Sequence, residues 1–172
     1  MIVKKMPILQ GFPDFETVKF FTGKFFQKYN FSPVFYDIET TGLSRKSTFL
    51  YLIGAVGIED ETWYFHQWMA ESDREEETIL RIFSQFLYQC DLLISYNGER
   101  FDQPYLEARY EKYGLPSPFD HKMSLDLYLT LKPLKALLKL PALKQPCLEE
   151  FLGIKDRIYN NGKECIQLYK DF

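Results

Sequence analysis

Two acidic residues, Asp37 and Glu39, stand one residue apart in the otherwise uncharged stretch FYDIETTGL, residues 35–43. The apolar flanks predict a buried strand, and side chains two residues apart on a strand project from the same face. Two carboxylates on one face repel each other unless a cation lies between them. Oxygen ligands suit Mg²⁺ or Mn²⁺, so the spacing predicts a metal-binding pair. The alternative interpretation is an edge strand whose solvent face carries two acids.

Asp102 is the third candidate, in the segment NGERFDQPYL that follows the apolar run DLLIS. An Asp at the start of a helix is commonly an N-cap, which is the alternative to a chemical role. In α/β sheets, however, ligand sites gather at strand ends where the chain connections diverge. Because Asp102 follows such a strand end, we expect it to approach the Asp37 and Glu39 pair.

The elements that position these acids follow from hydrophobic periodicity. Short apolar runs predict strands over 33–39, 48–59, 62–70, 91–98 and 121–128, and the tight link between the second and third predicts an antiparallel hairpin. Helical spacing predicts helices over 72–90 and 100–114, the latter ended by Gly114. Leu- and Lys-rich helical segments broken by prolines follow. This order predicts an α/β fold with a mixed sheet, antiparallel on one side and parallel through βαβ units.

Length and composition limit the class of protein. The chain has 172 residues, 46% hydrophobic and 17% aromatic, so it is long enough for one domain with a proper core. We interpret residues 1–32 as an N-terminal lead-in packed on the domain, with an amphipathic segment over 16–29. Residues 33–172 form the predicted domain. A net charge of −3 excludes a strongly basic coat, so a polyanion needs a local patch or metal ions.

Cysteine usage and hydropathy predict the compartment. The three cysteines are widely spaced and form no CxxC pair, which argues against a disulfide framework or a zinc knuckle. The first residues lack the apolar core of a signal peptide, and no apolar run has the length of a membrane span. These features predict a soluble, cytoplasmic protein.

The string DIETTG, followed by Asp102 in YNGERFD, resembles the first two motifs of the DEDD (DnaQ-like) 3′–5′ exonucleases, which have an RNase H-like fold. The resemblance covers about residues 33–172. It is closest to the bacterial YprB-type branch, on the segment FLGIKDRIYNNGKECIQLY. It implies that Asp37, Glu39 and Asp102 bind two catalytic Mg²⁺ or Mn²⁺ ions for hydrolysis of DNA or RNA, with a single-stranded end as the expected partner.

The resemblance also implies a group of residues near the terminal nucleotide: Thr40, Thr41, Gly42, Asn97 and Phe101. Two alternatives stay open at this point. Thr41 and Gly42 also fit a plain turn, and Phe101 also fits simple core packing. The aromatic residues near Trp63 are explained by the packing face of a strand.

The family carries a fourth carboxylate on a C-terminal helix, preceded at fixed spacing by His or Tyr. His121 and Asp126 have the His spacing, but they follow Asp102 too closely, and Asp126 falls on the family's next strand, where an Asp is usually structural. We therefore expect a truncated chain whose fourth carboxylate lies beyond Phe172. Two hypotheses result: a metal-dependent nuclease, or a catalytically incomplete nucleic-acid-binding or scaffold module with the same fold.

Four lysines and no acid lie between Leu127 and Leu148. A positive stripe on an acidic protein suits a phosphate backbone. The more usual meaning of such lysines is a solvated helix face, and the sequence pattern favours that interpretation.

Overall fold

The computed structural model describes residues 1–8, 14, 16–18, 20, 32–154 and 162–172. Its centre is a six-stranded sheet with the order β1-β4-β3-β2-β5-β6. β5 pairs in parallel with β2 and β6, and the other three pairs are antiparallel. The predicted α/β fold with a mixed sheet is confirmed. The strands are β1 (Ile2–Pro7), β2 (Pro33–Thr40), β3 (Leu50–Glu59), β4 (Thr62–Met69), β5 (Leu92–Ser95) and β6 (Met123–Asp126).

Helices flank the sheet on both faces. Those in the described part of the chain are α1 (Glu76–Leu87), α2 (Asp102–Lys112), α3 (Leu127–Leu131), α4 (Gln145–Phe151) and α5 (Gly162–Asp171). The predicted helices over 72–90 and 100–114 correspond to α1 and α2. Gly114, with φ +62°, follows α2 as a C-terminal glycine. No helix among the described residues is both long and apolar enough to cross a membrane.

Turn chemistry explains the predicted hairpin between β3 and β4. Asp60 and Glu61 both have positive φ, 47° and 62°, as the two central residues of a tight turn that matches the twist of the strands. The antiparallel pairing of β3 with β4 confirms the prediction.

β1 is a strand that the sequence did not predict. It pairs antiparallel with β4, from Ile2 opposite Met69 to Pro7 opposite Tyr64. All six of its residues are exposed, so hydrophobic alternation carries no signal there. The amphipathic segment predicted over 16–29 lies largely outside the described residues.

The two faces of β2 have different environments. Val34, Tyr36 and Ile38 face the main hydrophobic core, which α1 and α2 close with buried side chains such as Phe83 and Tyr105. The alternate residues of β2 face the opposite side of the sheet. That side therefore receives both Asp37 and Glu39.

A buried ion pair ties the helices of the core face to the sheet. The side chains of Glu76 on α1 and Arg109 on α2 are almost fully buried and are paired. Glu76 also accepts hydrogen bonds from the Leu50 backbone N–H at 2.7 Å and from the Tyr113 hydroxyl at 2.7 Å. Arg109 Nη1 donates to the Arg45 carbonyl at 2.9 Å. This cluster fixes the start of β3 and the loop between β2 and β3.

Candidate active site

Asp37 and Glu39 lie on one face of β2, and Asp102 is the first residue of α2, after β5. Asp102 is buried, and its Oδ1 accepts a hydrogen bond from the Ile38 backbone N–H at 3.2 Å. Since Ile38 stands between the two acids of β2, this bond fixes the third carboxylate beside the pair. The N-cap position of α2 belongs to Phe101, whose side chain makes no capping bond.

All three carboxyl groups have a raised pKa, for which burial is the largest cause. Burial, and then the charge of Asp37, raise the pKa of Glu39 to about 7. Burial and the charges of Asp37 and Glu39 raise the pKa of Asp102 to about 7, although the Ile38 N–H opposes the shift. Asp37 keeps contact with solvent, but the surrounding protein atoms displace enough water to raise its pKa as well. The site therefore gathers three carboxyl groups whose charged forms are disfavoured in the absence of a cation.

A cavity of about 790 Å³ opens onto this face of the sheet. Asp37 and Glu39 line it, whereas Asp102 is not among the described residues that do. Its volume lies in the range of pockets that take small organic ligands. The walls are mainly apolar and aromatic, and they include Phe35, Phe65, Met69, Ile94, Tyr96, Leu127 and Leu168.

A β-bulge brings Tyr51 into the same cavity. Glu39 pairs with Leu52 and Thr40 with Leu50, so Tyr51 is the extra residue of β3. Its side chain is only 3% exposed, and its hydroxyl has no hydrogen-bond partner among the described residues. Burial and the charge of Glu39 raise its pKa. A buried hydroxyl without a partner costs free energy, so the Tyr51 hydroxyl is a polar group that a ligand in the cavity could satisfy.

Helix α5 covers the carboxylate side of the sheet. The Tyr169 ring stacks on the Tyr51 ring, with centroids 4.0 Å apart and planes 15° from parallel. The Tyr169 hydroxyl donates to the Ala70 carbonyl at 2.9 Å. Cys165 also lines the cavity, and burial and the charge of Glu39 raise the pKa of its thiol. Sequence reasoning gave these α5 residues no role, because their only signal was their place in the segment that resembles a family.

Thr40, Thr41 and Gly42, predicted to lie near the substrate, form a closed turn. The Thr40 hydroxyl donates to the Gly42 carbonyl at 2.9 Å, and the Thr41 hydroxyl accepts from the Phe49 N–H at 3.1 Å. A Cβ on Gly42 would lie 2.8 Å from Thr48 Cγ2, so the position needs glycine. These contacts support the turn interpretation, and a role in substrate binding stays a prediction.

Asn97 and Phe101, the other two predicted substrate residues, lie in the β5–α2 connection. Asn97 has φ +64° and donates its backbone N–H to Asp126 Oδ1 at 2.9 Å. The Phe101 ring packs against the core, 5.7 Å from the Tyr105 ring, as its alternative interpretation predicts. Neither residue is among the described residues that line the cavity.

Asp126 has a structural environment. It is buried, and its side chain accepts from the backbone N–H groups of Asn97 and Glu99 and from those of Tyr128 and Leu129 at the start of α3. These bonds join the β5–α2 connection to α3. They agree with the structural interpretation of this Asp rather than with a role as the fourth carboxylate.

Gly98 is a site residue that sequence reasoning missed. A Cβ at this position would lie 2.5 Å from Ser95 Oγ and 3.5 Å from Asp102 Oδ2. Only glycine lets the chain turn this closely from β5 into the helix that carries Asp102. The Asn-Gly dipeptide was the signal available in the sequence.

The oxygen donors of this site are of the type that a hard divalent cation binds. It consists of carboxylate oxygens that repel one another, beside an orphaned hydroxyl. As arranged, no three His, Cys, Asp or Glu side chains in the described parts of the chain converge closely enough to hold a metal ion. The residues therefore fit a divalent metal by the type of their donor atoms, but not by their spacing in this arrangement.

Comparison with known families decides the classification. The family model of the RNase_H superfamily matches residues 34–172. The chain belongs to the RNase_H superfamily. The RNase H-like fold predicted from the sequence is thereby confirmed. No curated protein matches this RNase_H superfamily chain.

Solved structures share the fold at low sequence identity. The family B DNA polymerase of the archaeon Pyrobaculum calidifontis has a TM-score of 0.65 and 18% identity, over 83% of this chain and 21% of the polymerase. Escherichia coli exonuclease I with a dT13 oligonucleotide has a TM-score of 0.59 and 14% identity, over 82% of this chain and 40% of exonuclease I. A zinc-bound form of that exonuclease has a TM-score of 0.55 and 16% identity, over 81% and 40%. The chain thus spans less than half the length of these proteins.

The raised pKa values predict a pH dependence for this RNase_H superfamily domain. Unfolded Asp and Glu titrate near pH 4, whereas folded Glu39 and Asp102 titrate at about 7. Without divalent metal, the folded state binds more protons between these limits. The stabilisation from these two groups is fully present below about pH 4 and is lost as the pH rises through about 7.

Thermal unfolding of wild type and Glu39→Gln, from about pH 4 to about pH 8 in EDTA, measures this effect. We expect Glu39→Gln to gain stability relative to wild type as the pH rises. The control is Glu111→Gln, which changes an exposed carboxyl and should give a curve parallel to wild type. If the stability of Glu39→Gln changed with pH in the same way as that of wild type, the prediction would be wrong.

Proposed function

We propose that this RNase_H superfamily domain is a metal-dependent nuclease of the DEDD type, with residues 33–172 as its catalytic domain. It hydrolyses phosphodiester bonds of DNA or RNA from the 3′ end of a single strand. The observation that carries the proposal is the group of three carboxyls, each with a raised pKa, two of which line a large cavity. Structural groups seldom combine charge repulsion with poor hydration, whereas catalytic sites commonly do.

Each carboxylate has a proposed role. Asp37, Glu39 and Asp102 hold two Mg²⁺ or Mn²⁺ ions, which supply charge stabilisation and water activation when they are bound. Asp102 keeps its orientation through the bond from the Ile38 N–H. Asp37 and Glu39 line the cavity, so in this proposal they lie on the side of the site from which the substrate enters.

The cavity walls suit the rest of a nucleotide. Phe35, Phe65 and Tyr96 offer aromatic surfaces on which a base can stack. The orphaned hydroxyl of Tyr51 can donate to a phosphate or sugar oxygen that reaches it. At the end of β2, Thr40 and the turn residues Thr41 and Gly42 are proposed to approach the terminal nucleotide. Asn97 and Phe101, in the β5–α2 connection, are proposed to lie near it as well.

The structural relatives support this choice. Escherichia coli exonuclease I has been solved in complex with a dT13 oligonucleotide and in a zinc-bound form with single-stranded DNA. For the present chain, a single-stranded nucleic acid and divalent metal are the corresponding proposals. The alternative, a non-catalytic nucleic-acid-binding or scaffold module, is favoured by one observation: no three ligands converge on a metal position in the described residues.

End-labelled oligonucleotides test the proposal directly. The full chain is incubated with single- and double-stranded DNA and RNA in Mg²⁺, Mn²⁺ or EDTA. We expect a ladder of shortened products from 5′-labelled single strands, early release of the label from 3′-labelled ones, and no product in EDTA. Binding without shortened products in either metal would overturn the nuclease and support the non-catalytic module.

A further inference from the structure

The Leu- and Lys-rich segment 127–148 carries an unbalanced positive charge. Its four lysines are exposed, and none forms an ion pair with an acid among the described residues. The segment contains no acid, although the whole chain has a net charge of −3. The lysines are Lys132, Lys135, Lys139 and Lys144.

This segment is only partly the solvated helix face that the sequence pattern favours. Helix α3 has five residues and is followed by a 3₁₀ turn over Lys132–Leu134 that contains Pro133. Helical backbone continues past this turn, where the Leu138 N–H donates to the Leu134 carbonyl at 2.9 Å. Lys139 has φ +52°, so the chain changes direction there. The lysines therefore follow a path that is helical up to Lys139 and extended at Lys144.

Both ends of the path lie at the cavity. Leu127 at the start of α3 and Gln145 at the start of α4 line the cavity together with Asp37 and Glu39. Near the far end, the Tyr96 hydroxyl donates to the Leu143 carbonyl at 2.7 Å, and Tyr96 itself lines the cavity. The basic segment is thus a loop whose two ends are fixed to the cavity wall.

We propose that segment 127–148 binds the phosphate backbone of the single strand whose end occupies the cavity. This inference rests on the proposed function. The three carboxylates of the site repel a polyanion, so a strand needs positive charge outside the site to hold it. Lysines that have no acidic partner among the described residues are available to contact phosphates, and such contacts release condensed counterions, which favours binding. Leu137, 78% exposed, lies among the lysines and offers an apolar contact for a base or sugar.

An anionic membrane is the competing partner for lysines interspersed with leucines. The backbone argues against it, because interfacial binding uses a long continuous amphipathic helix, whereas the helical stretch here ends at Lys139 and Lys144 is extended. The connection of both ends to the cavity also favours a strand that leads into the site.

Salt-dependent binding of fluorescent oligothymidylate to the full chain in EDTA tests the inference. The double variant Lys135→Gln/Lys144→Gln changes two lysines of the path, neither of which has a positive φ. We expect the slope of log affinity against log salt to become shallower by roughly 1.4, about 0.7 for each lost phosphate contact. Between 50 and 200 mM salt, the variant then loses roughly 7-fold less affinity than wild type.

The matched control is Lys4→Gln/Arg74→Gln, which removes the same charge from exposed residues on β1 and in the turn before α1. β1 is the opposite edge of the sheet from β6, after which the basic segment begins. An equal change of slope in the control would overturn the inference, since net charge alone would then explain it. So would an unchanged slope in Lys135→Gln/Lys144→Gln, including the case where that variant instead loses binding to phosphatidylserine vesicles.

Because EDTA prevents metal-dependent hydrolysis, this experiment is independent of the nuclease assay. A changed slope without hydrolysis in any metal would refute the nuclease and keep the phosphate-binding segment. Hydrolysis with an unchanged slope would refute the segment and keep the nuclease.

Discussion

Replacing Asp37 with Asn should remove the proposed nuclease activity and raise the thermal stability of the protein. Loss of a carboxylate that holds catalytic charge should lower the rate on the order of 10²–10³-fold. Stability should rise because burial raises the pKa of Asp37, so its charged form is unfavourable in the folded state at neutral pH. The neutral Asn also removes the charge repulsion between Asp37 and the other two carboxylates, because the charge of Asp37 raises the pKa values of Glu39 and Asp102.

The assay is release of nucleotides from a labelled single strand in Mn²⁺, together with thermal unfolding in EDTA. The control is Asp120→Asn, the same change at an exposed carboxylate, which should alter neither result. Wild-type hydrolysis by Asp37→Asn would refute the catalytic role. A loss of activity accompanied by a loss of stability would instead indicate damage to the fold.

Arg109→Met should be the most damaging single change to the fold. It removes the buried charged partner of Glu76, which is itself fully buried and keeps only the half-exposed Lys112, whose Nζ lies 3.5 Å away. Breaking a buried ion pair by removing one member costs about 3–5 kcal/mol. At about 2–4 °C for each kcal/mol in a domain of this size, the midpoint of thermal unfolding should fall by roughly 6–20 °C.

Arg81→Met, the same substitution at an exposed residue of α1, is the control for Arg109→Met. Arg81 pairs with Glu77 at 2.7 Å on the exposed face of this helix. Arg81→Met should therefore lower the free energy of unfolding by no more than about 0.5 kcal/mol. Chemical denaturation of the two variants measures the difference. If Arg109→Met proved no worse than Arg81→Met, the cluster around Glu76 would not have the structural importance assigned to it.

The period-of-two pattern in β2 was enough to predict that Asp37 and Glu39 share a face. Strand-end placement likewise predicted the approach of Asp102 to this pair. The strand period of two and the clustering of ligand sites at strand ends are both rules of local geometry, so a short stretch of sequence is enough to apply them. The hydrogen bond from the Ile38 N–H to Asp102 Oδ1 shows that Asp102 does approach the strand that carries the pair.

Tyr51 and α5 show why the rest of the site could not be predicted. The bulge that inserts Tyr51 depends on the register between β2 and β3, which alternation alone does not specify. Tyr169 reaches Tyr51 from a helix far along the chain, and a single sequence contains no local signal for such a contact. β1 was missed for a different reason: its exposed residues have no buried face to create a pattern.

The two tryptophans of β4 make the protein its own optical reporter. Alternation along the strand places Trp63 on the face of Phe65, which lines the cavity, and Trp68 on the face of the main core. The Trp63 ring lies 5.9 Å from the cavity residue Phe35, and the Trp68 ring lies 5.9 Å from Phe83 on α1. Trp68→Phe therefore leaves an emission that follows occupation of the cavity, and Trp63→Phe leaves one that follows the integrity of the core.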